Sequence, residues 1–333
     1  MDRRTFLKHA AVASVLPASR VFASAPPARA RVVVVKTDDR AAGVAKAVEL
    51  LGLPGFDGRD VFLKANYNSA DPTPGSTHPD VLSAMLAALK AKRAGPVTLG
   101  ERSGMGDTRR VLRARGVLDI AAQSGAKVLV LDELPADGWQ HVQPRSSHWE
   151  RGFAVPSALV AAGAVVQTCC LKTHRYGGHF TLSLKNSVGL AAKYVPGDPY
   201  NYMHELHGSP DQRRMIAEIN TAYAPALVVL DGVEAFVSGG PDTGEVAHAG
   251  VIVAGVDRVA VDAVGVALLR SLGTTPEVRR GAVFAQEQIA RAAELGVGVG
   301  RPDQVELVTA DRASAETAKR VRALLDQVPG AAG

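Results

Sequence analysis

Residues 164–171, AVVQTCCL, form an apolar, β-prone run of the kind that makes a strand buried on both faces. A strand like this requires helices on both sides of its sheet, so it constrains the fold more than any other stretch of the chain. The pattern recurs. Strands are expected at 32–36, 60–65, 96–100, 127–131 and 165–171, with helical segments between them at 41–51, from Thr77-His78-Pro79-Asp80 to about 92, and from about 108. Thr77 and Asp80 have the spacing of a capping hydroxyl and an acid three residues on. Strand alternating with helix is the signature of a mainly parallel sheet.

The second half of the chain continues the theme with strands expected at 226–230, 251–256 and 305–309 and helices starting at Ser209-Pro210-Asp211-Gln212, over 258–272 and within 279–295. Between the first two of these strands, Gly239-Gly240-Pro241-Asp242-Thr243-Gly244 is dense turn chemistry. Asp257 has the position of a helix N-cap. The expected fold class is α/β, a three-layer arrangement with a mainly parallel or mixed central sheet and helices on both faces. No linker interrupts residues 31–310, which are expected to form a single domain; residues 311–333 add one amphipathic helix and a tail.

The amino terminus follows a different logic. Arg3-Arg4-Thr5-Phe6-Leu7-Lys8, followed by a modestly apolar run over 10–18, resembles a twin-arginine (Tat) export signal. Small-x-small cleavage points lie at Val21-Phe22-Ala23 and Ala28-Arg29-Ala30, so residues 1–30 are expected to be a signal peptide cut near 23 or 30. The resemblance implies the twin-arginine translocase as a partner and a periplasmic or otherwise exported location. No stretch has the roughly 20 uninterrupted apolar residues that a stable membrane span needs.

Charge and aromatic content exclude nucleic acid as a partner. The net charge is +5, and without residues 1–23 it falls to +2, from 34 basic and 32 acidic residues. No polycation remains to hold a duplex. Aromatic residues make up 5% of the chain, too few for base-stacking platforms. The only cysteines, Cys169 and Cys170, are adjacent, so in a strand they point to opposite faces and are expected to be buried packing residues. Their number excludes an iron–sulfur cluster motif.

Chemistry-bearing residues collect around 165–189, VVQTCCLKTHRYGGHFTLSLKNSVG. Lys172, Thr173 and His174 are expected to emerge at the carboxyl end of the strand, where open α/β sheets bind ligands. Lys64 and Asn66 follow the 60–65 strand in the same way, so two lysines at equivalent strand ends suggest an anion site. Lys185 and Asn186 precede Ser187 and Gly189, and a lysine and an amide entering a segment of so little bulk suggest close approach to a ligand. The loop 100–106, with Arg102 in it, offers backbone N–H groups to an anion but lacks both the dinucleotide fingerprint and the P-loop lysine. Asp231 closes a strand, and Asp262 interrupts an apolar helix surface, where a carboxylate needs a partner. Two partners are open for these acids: a hard divalent metal, or one of the site lysines. His204 and His207, at i and i+3, share a helix face from which both could reach one metal ion.

Taken in order, these motifs are Leu63-Lys64-Ala65-Asn66, Leu171-Lys172-Thr173-His174, Thr181-Leu182-Ser183-Leu184-Lys185-Asn186 with Gly189, His204 or His207, Leu230-Asp231-Gly232, Gly239-Gly240-Pro241 with Gly244, and Asp257 followed by Ala260-Val261-Asp262-Ala263. The run is similar to the domain of unknown function 362 family, over about residues 60–300. That resemblance implies functional residues but no reaction. Some members of the family carry a ferredoxin-like cluster domain, whose cysteines are missing from this chain. The expectation is an exported enzyme acting on a small anionic substrate, with or without metal assistance. His174, Lys172 and Lys185 take catalytic roles, Lys64, Asn66 and Asn186 bind the substrate, and Asp231, Asp262 and His207 are the metal-ligand candidates. A non-catalytic periplasmic binder of a metal complex or small anion is the alternative.

Overall fold

Eleven strands carry the architecture: β1 (Ala30–Lys36), β2 (Val61–Lys64), β3 (Val97–Glu101), β4 (Lys127–Val130), β5 (Trp139–Val142), β6 (Phe153–Pro156), β7 (Ala164–His174), β8 (His179–Thr181), β9 (Pro225–Gly239), β10 (Gly244–Gly255) and β11 (Val305–Thr309). They come from a computed structural model that describes residues 29–327. The twin-arginine motif and the first cleavage point lie outside the described residues. The second cleavage point ends at Ala30, which is buried in β1 opposite Val305.

The main sheet has the order β11-β1-β10-β9-β7-β2-β3-β4, with β8 added against β7. β10 runs antiparallel to both its neighbours, while β1 with β11 and β9-β7-β2-β3-β4 pair in parallel. Alternation along the strands feeds two cores. Val32 and Val34 face one with Cys169, Leu171 and the helix Arg258–Ser271; Val33 and Val35 face the other with Val166, Val229 and the helices Arg40–Leu51 and Pro79–Ala91. The result is a three-layer α/β fold with a mixed, mostly parallel sheet. Burial of this much apolar surface, at roughly 25 cal/mol per Å2, is its main source of stability. The helix Arg312–Leu325 packs on the sheet through Val321 and Leu325, and its Ser314 hydroxyl accepts from the Lys36 N–H at 2.9 Å. Among the described residues no helix is long and apolar enough to cross a membrane.

Several local expectations needed tertiary correction. The helix Pro79–Ala91 is capped by His78, whose Nδ1 accepts from the Asp80 N–H at 3.2 Å. Thr77 is diverted because its hydroxyl accepts the Asn66 N–H at 2.9 Å. Strand β7 continues three residues beyond Leu171, because β8 pairs with Lys172 to His174 and β9 returns at Phe236 to pair with Lys172. The short strands expected at 226–230 and 251–256 are parts of one long hairpin. β9 runs on through Asp231 to Gly239, and β10 starts at Gly244 and takes a bulge between His248 and Val251, where Gly250 has φ 56. The polar excursion after β4 holds the two-stranded β5–β6 sheet over a third core that contains Trp149, Phe153 and Met215. Asp257 is the N-cap expected of it: its carboxylate accepts from Ala260 N–H at 2.9 Å.

Candidate functional site

Parallel strands β2, β3 and β7 lie side by side, and their carboxyl ends open into one pocket of about 320 Å3. That is the small end of the range for ligand sites. Lys64 and Asn66 reach it from the end of β2, Glu101 and Arg102 from the end of β3, and Lys172 and His174 from β7. The helical turn Ser183–Asn186 supplies Lys185 and Asn186, and the helix Tyr202–Gly208 supplies Met203 and His207. The six residues placed in catalytic and binding roles from sequence therefore meet, although they come from separate parts of the chain.

The buried lysines differ in how their charge is met. Lys64 Nζ donates to both oxygens of Glu101, at 2.7 and 2.9 Å, to Asn186 Oδ1 at 3.1 Å and to the Ala65 carbonyl at 2.5 Å. Burial pulls Lys64 below and Glu101 above their ordinary ranges, each toward its neutral form, and the ion pair opposes both shifts. Asn186 ties the pair into the site. Its Oδ1 also accepts from Asn66 Nδ2 at 3.2 Å, and its own Nδ2 donates to the Thr168 carbonyl at 3.0 Å. Gly189 makes room for this: a Cβ there would stand 2.9 Å from Lys64 Cε and 3.1 Å from Glu101 Oε1. Gly189→Ala is expected to destabilise the protein by about 1–3 kcal/mol in urea unfolding, through forced displacement of the buried ion pair. Unchanged stability would mean that the pair yields freely.

Lys172 is fully buried, and its ammonium donates to the carbonyls of Gly75 at 2.5 Å and Pro241 at 3.0 Å. A third N–H stays available. Arg102 is likewise met by uncharged acceptors: the Ala191 and Val188 carbonyls, each at 2.8 Å, and Met203 Sδ at 3.2 Å. Neither side chain makes an ion pair with a carboxylate among the described residues, so the positive charge of each is not cancelled by contact, while burial pulls both below their ordinary values. Lys185 is buried and, among the described residues, has no hydrogen-bond partner. Burial, then the fields of Lys172 and Arg102, push its amine down to about 7. His174 is also buried, its Nδ1 has no partner, and burial followed by Lys185 and Lys172 hold it well below the ordinary histidine value. Asn66 Oδ1 and Thr181 Oγ1 are further pocket atoms left without partners. Buried polar groups are nearly always satisfied, so a cluster of unmet ones in a pocket marks a place for a polar ligand.

The three metal-ligand candidates go to different places. Asp231 is held by Arg40, Nε to Oδ2 at 2.9 Å, and by the Val233 N–H, and it does not line the pocket. Asp262 lies beneath the site and contacts neither a lysine nor the pocket. Its two oxygens accept the N–H groups of Ser183 at 2.8 Å and Leu184 at 3.0 Å and so anchor the turn that carries Lys185 and Asn186. His207 does line the pocket, with Nδ1 held by the Met203 carbonyl at 2.7 Å; His204 lies outside it. With each acid already engaged, Asp231, Asp262 and His207 do not converge as a ligand set, and among the described residues no group of three such side chains does.

Glu101 and Arg102 are the pocket residues that the sequence reading undervalued. The loop after β3 contributes a charged pair at a strand end, the same signal that Lys64 and Lys172 carry, more than its glycines and N–H groups.

The thylakoid-associated protein sll1697 of Synechocystis sp. is 27% identical over 210 residues, covering 62% of this chain and 61% of that protein, so the chain spans about three fifths of its relative's length. Among solved structures, the lactate racemase apoprotein from Thermoanaerobacterium thermosaccharolyticum is similar at a TM-score of 0.37 with 16% identity, covering 68% of this chain and 56% of that one. The profile of the domain of unknown function DUF362 matches residues 61–267, which include every pocket residue from Lys64 to Pro241. The chain belongs to the DUF362 family.

Proposed function

We propose that the pocket binds a small anionic substrate and that the protein is an enzyme acting on it, with Lys185 and His174 as the reacting groups. The observation that carries this reading is the unmatched charge balance. Four buried basic side chains, Lys64, Arg102, Lys172 and Lys185, line the pocket, and Glu101, the one carboxylate among the lining residues, is already bound to Lys64. An anion would satisfy the third Lys172 N–H and meet the field of Arg102. Lys64, Asn66 and Asn186 complete the wall against which it is oriented. An amine near 7 beside a histidine kept neutral by burial can exchange protons at physiological pH, which is what a general acid or base needs. No step is routed through a metal. Export by the twin-arginine route belongs to the same reading and rests on the Arg3 to Lys8 motif; it would place the pocket in the periplasm.

Binding of sulfate, which does not itself titrate near neutrality, tests the charge argument. The anion favours the ammonium form of Lys185, so above about 7 each bound anion must bring a proton with it. Affinity is expected to fall by up to about tenfold per pH unit as the pH rises from there. Titration calorimetry of the wild type and Lys185→Met should show this slope lost in the variant. Absence of sulfate binding at any pH would remove the anion reading.

A further inference from the structure

We propose that Lys185 is an imine-forming lysine and that its substrate is a small oxo acid, held with its carboxylate toward Lys172 and its carbonyl carbon against the Lys185 amine. The inference rests on the anion-pocket reading and goes beyond it by naming the bond made and the class of substrate.

A lysine that changes its covalent state must be free of structural duties. Lys64 holds Glu101 and Asn186, Arg102 holds three acceptors, and Lys172 pins the loop at Gly75 and the hairpin turn at Pro241. Lys185 alone of the four holds nothing among the described residues. It is nevertheless closely placed. A Cβ on Gly178 would stand 2.4 Å from Lys185 Cε and 3.1 Å from His174 Nδ1, so the lysine tip and the imidazole share the space that this glycine leaves open. Gly178 is itself held, its carbonyl accepting from Gln288 Nε2 at 2.5 Å. Nδ1 of His174 is buried without a partner and borders the same gap as the Lys185 side chain, where a proton relay is needed. The depressed amine supports the assignment, because a useful fraction is unprotonated and nucleophilic near neutrality.

The reaction balances without an oxidant or reductant. The Lys185 nitrogen lone pair attacks the carbonyl carbon, forming the C–N bond as the C–O π bond opens, and one of the two nitrogen protons passes through His174 to the oxygen to give a neutral carbinolamine. His174 accepts a proton from the nitrogen of this carbinolamine and delivers it to the hydroxyl, which leaves as water while C=N forms. Amine and oxo acid become imine and water. The small cavity limits the acid to a few carbons, and the available Lys172 N–H gives its carboxylate a fixed contact.

The test is reductive trapping of the full chain with pyruvate, glyoxylate and 2-oxobutyrate in the presence of sodium cyanoborohydride, followed by peptide mapping. A reduced adduct concentrated on Lys185, absent in Lys185→Met, slowed in His174→Ala and suppressed by sulfate is the expected result. Labelling of Lys185 no faster than the exposed Lys90 or Lys127 overturns the proposal. If sulfate binds but no oxo acid modifies Lys185, the imine assignment falls while the anion pocket stands. If neither binding nor trapping occurs, both fall. Should Lys185→Met fail to fold, the wild-type map alone decides, because it reports which lysine carries the adduct.

Discussion

Replacing Glu101 with Gln lowers the stability of the folded protein by roughly 3–5 kcal/mol near neutral pH, the range found when one partner of a buried ion pair is removed. Lys64 and Glu101 are each only 1% exposed. The substitution leaves the ammonium with a carbonyl and an amide oxygen where it had a carboxylate. The loss depends on pH, and its sign follows from the lysine. Without Glu101 the folded-state pKa of Lys64, already below the ordinary 10.5, drops further. Between that value and 10.5 the unfolded chain binds a proton that the folded protein does not, so stability rises with pH. The Glu101→Gln deficit should therefore be largest in mildly acidic urea titrations and shrink as the pH rises to the folded-state value of Lys64 in the wild type, above which both proteins gain stability alike. Lys64→Met combined with Glu101→Gln should recover most of the loss, since no unpaired charge remains buried. A deficit that the double variant retains would show that the pair contributes by shape and not by charge.

Removing the Asp262 carboxylate reaches the pocket without touching it. Asp262→Ala strands the N–H groups of Ser183 and Leu184 in a fully buried environment. Each unsatisfied donor costs about 1–3 kcal/mol, so a total loss of roughly 2–6 kcal/mol is expected. These two groups begin the turn whose next residues are Lys185 and Asn186, so the variant should also weaken sulfate binding severely. Asp262→Asn keeps the shape and one acceptor oxygen, and should restore part of both properties. If Asp262→Ala folds with normal stability and binds sulfate as the wild type does, the anchoring role is wrong. Stability and binding should fall together, because one pair of hydrogen bonds supports both.

Much of the architecture was legible in the residues because it is written locally. Valine-rich runs such as Val32 to Val35 announce strands whatever surrounds them, and Asp257 ahead of its helix announces a cap. Lys64 and Lys172 are marked by standing at strand ends, whatever their neighbours. Local signals do not choose between Thr77 and His78 for the cap, because the Asn66 N–H, eleven residues from Thr77, takes the threonine hydroxyl. Nor do they reveal β8, a three-residue strand too short to carry its own periodicity, which exists because β7 offers an unpaired edge there.

The candidate site divides along the same line. The sequence alone determined which side chains could do chemistry and on which kind of element each would stand, since alternation and capping depend on near neighbours. The tertiary structure decided which charges are cancelled. Glu101 answers Lys64, Arg40 answers Asp231, two backbone amides answer Asp262, and Lys185 is left without an answer among the described residues. Those pairings join positions 37, 191 and 79 residues apart, and they follow from sheet order and register. A titratable group takes its character from the charges and solvent within a few ångströms, so its role is fixed only when the chain has folded around it.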